Sequence, residues 1–416
     1  MASEERGVKA RLGMASSDSP AIADTALLTE ATVVTYVLGL GDKTPLSPSP
    51  PHTVTEITDG NLNYAWAVRD GSGGGVFVKQ APPYIKCLGA DYGLPAERML
   101  LESAALDLYG RVAPGTVPRH LHLDPQRCVM VLELLDGYEL MRTALRAGHA
   151  DAKHAIEVGK FMGLTHKATH RDRVPAAERA ALEAKFANAT MCGITADYVF
   201  TKPLDADDPT NKCSAHVVTL AAELRADDEL RRGVAELREI FLSEKECLIH
   251  GDLHTGSVMV PAAGSSGAAK VIDGEFAFYG PAAFDVGTFV AHIVFSLLSV
   301  DADARHEAPH LQMIDMALRA YAAEMGMVEP GSADSSSDDD RLFIERAAGF
   351  AGCELIRRVI GAAHVDDLEL MPAGTAGEER GDSEWAALTL GMQLVKTRST
   401  GSAKLEERIE TLLVYP

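Results

Sequence analysis

From Thr53 to Glu133 the apolar residues fall in short runs separated by turn residues, the pattern of strands rather than of helices. Leu62 to Arg69 and Val76 to Gln80 are β-prone runs. The Asp70-Gly-Ser-Gly-Gly-Gly75 stretch between them predicts a hairpin turn. Ala96 to Tyr109, rich in Leu, Ala, Glu and Met, predicts one helix entered through Pro95. Cys128 to Leu135 is a nearly continuous apolar run and fits a buried strand. Ahead of these, Thr32 to Leu38 marks the start of ordered structure, and Gly39 to Pro51 reads as a Pro/Gly/Ser connector. Beyond Leu135 the period changes. Val158, Phe161 and Met162 recur at helical spacing, as do Leu220, Leu224 and the apolar residues up to Leu242. Short runs and turns interrupt this helical half only around Leu248 to Phe278. Phe284 to Val300, broken by Asp285 and His292 and shorter than a bilayer span, predicts a buried core helix. Ser332 to Asp340 and Pro372 to Asp382 read as solvated loops. The expected fold is α+β. A tail (1–24) precedes a small antiparallel-sheet lobe with one helix (25–135) and a large, mainly helical lobe (136–416), with a cleft between them.

Composition narrows the partners. The 416 residues carry a net charge of −21 with a pI near 5.1, which argues against nucleic acid while leaving room for a nucleotide in a locally cationic pocket. The six cysteines form no CxxC pair, so reduced thiols in a cytoplasmic protein are expected rather than a zinc site or disulfides. The first residues include Glu4, Glu5, Asp18 and Asp24 and lack the apolar core of a secretory signal. No membrane association is expected.

The chemistry-bearing segments lie in order along the chain. His250-Gly-Asp-Leu-His-Thr-Gly-Ser257 follows the apolar run Cys247-Leu-Ile249, and a loop at a strand end can present the Asp252 carboxylate to a substrate hydroxyl. A competing reading pairs His250 with His254 on a metal, but Gly251 and Gly256 oppose the helix that pairing needs. Val271-Ile-Asp273-Gly-Glu275 then predicts a strand end aiming two carboxylates to one side, a set of hard ligands suited to Mg2+. Ser257 stands where protein kinases place a metal-binding Asn. A base loop, a short hairpin and a metal carboxylate is the order kinase-like enzymes use.

In the smaller lobe, Asp59-Gly60-Asn61 forms a turn whose backbone amides can cover ATP phosphates. Lys79 can pair with phosphates and with Glu102, Glu97 being the competing helix partner. Met130-Val-Leu-Glu133-Leu134-Leu135 reads as the inter-lobe hinge, with Glu133 and Leu134 beside the adenine. Arg357 and Arg358 interrupt an apolar helix about 100° apart around its axis, so one narrow face does not hold both. Arg358 has Glu354 as an i,i+4 partner. Arg357 has no such partner and points to a sugar or phosphate contact.

These segments resemble the 5-methylthioribose kinases, relatives of the aminoglycoside and choline kinases. The resemblance runs from about Leu28 to the C-terminal helix. It rests on the 250–257 string, on Asp273-Gly-Glu275-Phe-Ala-Phe-Tyr-Gly-Pro281 with Phe284-Asp285, and on Arg357-Arg358 followed by Gly361 and Ala363-His364. It implies a protein-kinase-like two-lobed fold and Mg2+- and ATP-dependent phosphorylation of the anomeric C1 hydroxyl of methylthioribose, in methionine salvage. It also implies Asp252 as the catalytic carboxylate, Asp273 and Glu275 as metal ligands, Lys79 on phosphates, Arg357 and Arg358 on the substrate or the transferring phosphoryl group, and a homodimer. Asp91-Tyr92-Gly93-Leu94-Pro95 stands where the family has Ser-Trp-Pro, and Gly274 where it often has proline. Two alternatives stay open at this level: another small-molecule kinase of the aminoglycoside or choline type, and a non-catalytic pseudokinase acting as a binding module.

Overall fold

A computed structural model describes residues 27–58, 60, 62–149, 151–300, 305, 308–327, 338–370, 377–400 and 404–414. The expected 1–24 tail, Asp59 and Asn61 lie outside these residues.

Five antiparallel strands, β1 (His52–Glu56), β2 (Tyr64–Asp70), β3 (Gly75–Gln80), β6 (His120–Asp124) and β7 (Val129–Glu133), form a sheet in the order β1-β2-β3-β7-β6. The short strands β4 (Tyr84–Ile85) and β5 (Gly89–Gly93) pair separately as a hairpin. Alternation along β7 sorts its side chains onto two faces. Val129 and Val131 join Trp66, Val68, Val76 and Val78 against the Glu30–Leu38 helix, while Met130 and Leu132 turn to Met99, Leu106 and Tyr109 of the Arg98–Val112 helix. The sheet thus carries two helices, where one was expected. The β-branched Thr32–Thr35 stretch is helical because Thr29 and Thr32 cap one another's backbone and Val33 and Val37 bury one stripe, which outweighs propensity.

After β7 the chain enters the mainly helical part. Tyr138–Leu140 pairs with Val258–Pro261, which pairs with Lys270–Val271, and Cys247–Ile249 pairs with Phe278–Gly280. These short pairs bracket the loops 250–257 and 273–276. Behind them lies the Ala282–Leu298 helix, buried at every residue. It is crossed closely by the Asp338–Ile360 helix: a Cβ on Gly287 would stand 2.7 Å from the Ala347 carbonyl oxygen.

Both expected loops near the C-terminus are partly helical. Asp338–Asp340 forms the first turn of the Asp338–Ile360 helix, where acidic side chains complement the helix dipole. Residues 377–382 begin the Gly377–Lys396 helix, whose buried positions Glu384, Ala387, Leu388, Leu394 and Val395 recur at helical spacing. Residues 332–337 and 372–376 lie outside the described ones. Among the described residues no helix is long and apolar enough to cross a membrane.

Candidate active site

The loop after Cys247–Ile249 is held from beneath by Asp285. Its carboxylate accepts the backbone N–H groups of His250 (2.7 Å) and Gly251 (2.9 Å) and lies 3.2 Å from His166 Nε2. Gly251 has φ +81°, and a Cβ there would meet the Phe276 carbonyl oxygen at 2.3 Å. The loop therefore requires glycine on both conformational and steric grounds. Gly251→Ala is expected to lower unfolding free energy by about 2–5 kcal/mol, the left-handed penalty plus overpacking, read from urea unfolding. Wild-type stability in that variant would contradict the loop geometry.

The two histidines of the loop do not converge as a metal pair. His250 Nε2 faces the Ile272 carbonyl at 2.8 Å and so carries the proton, leaving Nδ1 to accept the Asp252 amide at 3.3 Å. His254 Nδ1 accepts the Gly256 amide at 3.0 Å, which turns Nε2 toward Asp252 Oδ2 at 3.5 Å. Asp252 Oδ1 lies 3.8 Å from Arg357 Nη2 and 4.0 Å from Arg358 Nη2. Burial by itself would raise the pKa of Asp252. His254, Arg358 and Arg357 outweigh it and hold the carboxyl well below the usual carboxylate range. Asp252 is thus a charged acceptor ringed by donors.

Arg357 does have a helix partner. Its Nε donates to Glu354 Oε2 at 2.5 Å, and Arg358 Nε donates to Glu354 Oε1 at 2.8 Å. Positions i+3 and i+4 flank the same carboxylate, and the length of the arginine stem absorbs the angular separation that argued against a shared face.

On the sheet side, Lys79 Nζ reaches Glu102 Oε1 (2.7 Å) and Asp273 Oδ1 (2.6 Å), so Glu102 and not Glu97 is the helix partner. Burial disfavours the lysine charge, but Asp273 and Glu102 raise its pKa above the ordinary value and keep it protonated. Gly60, Leu62, Asn63, Lys79, Leu132 to Leu135, Asp252, Asp273, Arg357 and Arg358 all line one cleft. At the hinge, the Glu133 amide donates to the Arg119 carbonyl and its side chain pairs with Arg119, so a contact from Glu133 to a base would come from its carbonyl.

Asp273 and Glu275 both line the cleft, but their side chains do not point to one side. Strand geometry ends at Val271. Asp273 takes a left-handed conformation (φ +62°) and Gly274–Phe276 is a tight turn, so alternation no longer applies. The Asp273 side chain remains 47% exposed toward the cleft, whereas Glu275 turns inward, accepting Asn63 Nδ2 at 2.8 Å and lying 3.4 Å from Arg98 Nε. Asn188 fixes the turn by donating to the carbonyls of Glu275 and Ala277, both at 2.9 Å. Ser257 Oγ donates to the Asp252 carbonyl at 3.0 Å, which commits the hydroxyl to the loop. Among the described residues no three His, Cys, Asp or Glu side chains cluster as a metal cage. A Mg2+ carried by a nucleotide needs only one or two protein carboxylates beside phosphate oxygens and water, and Asp273 fits that demand.

Four supporting residues were not given these roles by the reading of the sequence, although Glu354 was already named as the partner of Arg358 and Asp285 as part of the family string. Asp285 was visible as the one carboxylate inside an apolar run, a position that seldom stays unpaired. Glu354 stands three and four residues before the paired arginines. Arg98, whose guanidinium donates to the carbonyls of Leu62, Pro82, Leu94 and Pro95 and to Asn63 Oδ1, left no local signal, and neither did Asn63.

The phosphotransferase enzyme family matches residues 53–322. A methylthioribose kinase of Bacillus pumilus is 36% identical over 378 residues, 89% of this chain and 92% of that protein. A methylthioribose kinase of Exiguobacterium sibiricum is 36% identical over 357 residues, covering 84% and 89% respectively. Among solved structures, a choline kinase of Cryptosporidium parvum is similar over 92% of this chain and 96% of its own, at 12% identity and a TM-score of 0.47.

Proposed function

The chain belongs to the phosphotransferase enzyme family, on its methylthioribose kinase branch, and from that premise we propose how it works: ATP donates its γ-phosphoryl group to the C1 hydroxyl of 5-methylthioribose, giving methylthioribose 1-phosphate and ADP. The observation that carries the reading is the placement of Asp252 between Arg357, Arg358 and His254, in the same cleft as Lys79 and Asp273. The C1 oxygen bonds to the γ-phosphorus as the bond from that phosphorus to the β,γ-bridging oxygen breaks, ADP leaves with that electron pair, and the hydroxyl proton passes late in the transfer to Asp252 and on to solvent.

Asp252 accepts a hydrogen bond from the C1 hydroxyl and aims its lone pair. With a carboxyl held so acidic it orients the nucleophile more than it removes the proton early, and an anomeric hydroxyl, more acidic than an ordinary alcohol, suits that role. Lys79 binds phosphate oxygens, and the guanidinium groups of Arg357 and Arg358 neutralise charge on the phosphoryl group in transit. Gly60 and the turn around it cover the phosphates, while Glu133 and Leu134 border the base. Asp273 would hold a Mg2+ ion, which would supply charge neutralisation for the phosphates; Glu275 and Ser257 would add to its ligands only by leaving their present partners.

An aminoglycoside substrate is disfavoured by paired guanidinium groups facing a polycation, and a pseudokinase need not keep Lys79, Asp252 and Asp273 in one cleft. Coupled ADP release with methylthioribose, ribose, choline and kanamycin tests the substrate. Methylthioribose is expected to exceed each of the others by about 10²-fold or more in kcat/KM, and loss of that preference would remove the reading.

A further inference from the structure

The mechanism asks two guanidinium groups on successive residues to point into one small space. Like charges at that spacing repel, and burial removes the water that would screen them. Burial and the neighbouring Arg358 push the pKa of Arg357 down, and Glu354 and Asp252 pull it the other way. The group that relieves the repulsion is Glu354, on the same helix, with its side chain 1% exposed.

Glu354 uses its oxygens separately. Oε2 accepts Arg357 Nε (2.5 Å) and Oε1 accepts Arg358 Nε (2.8 Å). Because both arginines are gripped at Nε, their Nη ends stay directed toward Asp252 Oδ1, at 3.8 and 4.0 Å. Oε1 takes a second donor, His292 Nε2, at 3.0 Å from the fully buried Ala282–Leu298 helix. The His292 ring packs on His254, centroid to centroid 4.9 Å, and His254 faces the other oxygen of Asp252. Burial drives the His292 pKa down to about 3, so it is a neutral donor and adds no charge to the cluster. Two routes of contact therefore run from one buried carboxylate to the two oxygens of Asp252.

We propose that Glu354 is a positioning residue for phosphoryl transfer: it sets the aim of Arg357 and Arg358 directly, and the seat of His254 through His292. It is buried and does not line the cleft. A buried ion cluster is weak evidence for stability, since an apolar packing of the same volume often does as well. Its geometric effect is specific: two fork-shaped groups are locked in one orientation before substrate arrives, and displacement of a reacting group by about 1 Å can cost about 10²-fold in rate. Glutamine at this position offers a single acceptor oxygen and turns an N–H2 donor toward the second guanidinium, so one arginine loses its anchor.

The proposal rests on the kinase reading, which wild-type ADP release with methylthioribose tests separately. With that activity in hand, Glu354→Gln is expected to lower kcat about 10²-fold while KM for ATP changes less than about 2-fold, because Lys79 and the hinge are untouched. The deciding measurement is a mutant cycle. In an Arg357→Ala/Arg358→Ala background, Glu354→Gln should cost less than about 3-fold more, since both guanidinium groups it aims are gone and the glutamine carbonyl oxygen still accepts His292 Nε2, which keeps the seat of His254. A full further 10²-fold loss there would assign Glu354 a structural role and overturn the proposal, and so would wild-type kcat in the single variant. Should Glu354→Gln fail to fold, Glu354→Asp, which keeps the charge but withdraws it by one methylene, carries the same cycle with the same criteria.

Discussion

Asp252→Asn is expected to cut kcat by about 10³-fold or more while leaving ATP affinity within about 2-fold of wild type. The amide occupies the same volume, so the loop keeps its shape. It cannot present two charged acceptor oxygens, and its N–H2 would face His254 Nε2 on one side or the two guanidinium groups on the other. The nucleotide contacts assigned to Lys79 lie on the sheet and do not involve Asp252. Single-turnover kinetics with methylthioribose, beside calorimetric titration with a non-hydrolysable ATP analogue, separates the two effects. A variant with near-normal kcat would remove Asp252 from the reaction, and one with lost nucleotide binding would show that the cleft itself had collapsed.

The second large effect is expected at a residue that never meets substrate. Asp285→Ala removes the acceptor of the His250 and Gly251 amides, both in buried positions, and of His166. Each orphaned buried donor costs about 1–3 kcal/mol, so a loss of about 3–5 kcal/mol in unfolding free energy is expected, read from urea denaturation. Because the two amides belong to the residues just before Asp252, the protein that remains folded should also turn over about 10²-fold more slowly. Asp285→Asn, which retains one acceptor oxygen, should fall between wild type and alanine on both measures. A stable, fully active alanine variant would mean that the loop is held by other contacts.

The candidate site was legible where it depended on local pattern. The strand run Val76 to Gln80 carries Lys79 inward because β3 alternates, and the Ala96–Tyr109 pattern brings Glu102 opposite it one helical turn inside the helix. Gly251 and Gly256 marked the 250–257 segment as a loop, and the loop is what holds Asp252. The errors have two sources. Strand alternation was carried past the end of the strand, and the left-handed turn at Asp273 gives Glu275 a different direction, toward Asn63 and Arg98 at the wall of the cleft. Arg357 was read as unpartnered because only the i−4 position was weighed, whereas Glu354 stands at i−3, within reach of a long side chain.

Sequence by itself therefore determined the strand that carries Lys79, the helix that carries Glu102, the loop that carries Asp252, and the family. Periodicity, turn residues and motif spacing are properties of neighbouring residues, and neighbours are what a sequence displays. Tertiary structure decided which carboxylate faces the cleft and which is consumed by a buried partner. Glu275 meets Asn63 across 212 positions and His292 meets Glu354 across 62. A charge buried by folding takes whichever donor the packed helices bring to it, and no local pattern in the chain encodes that meeting.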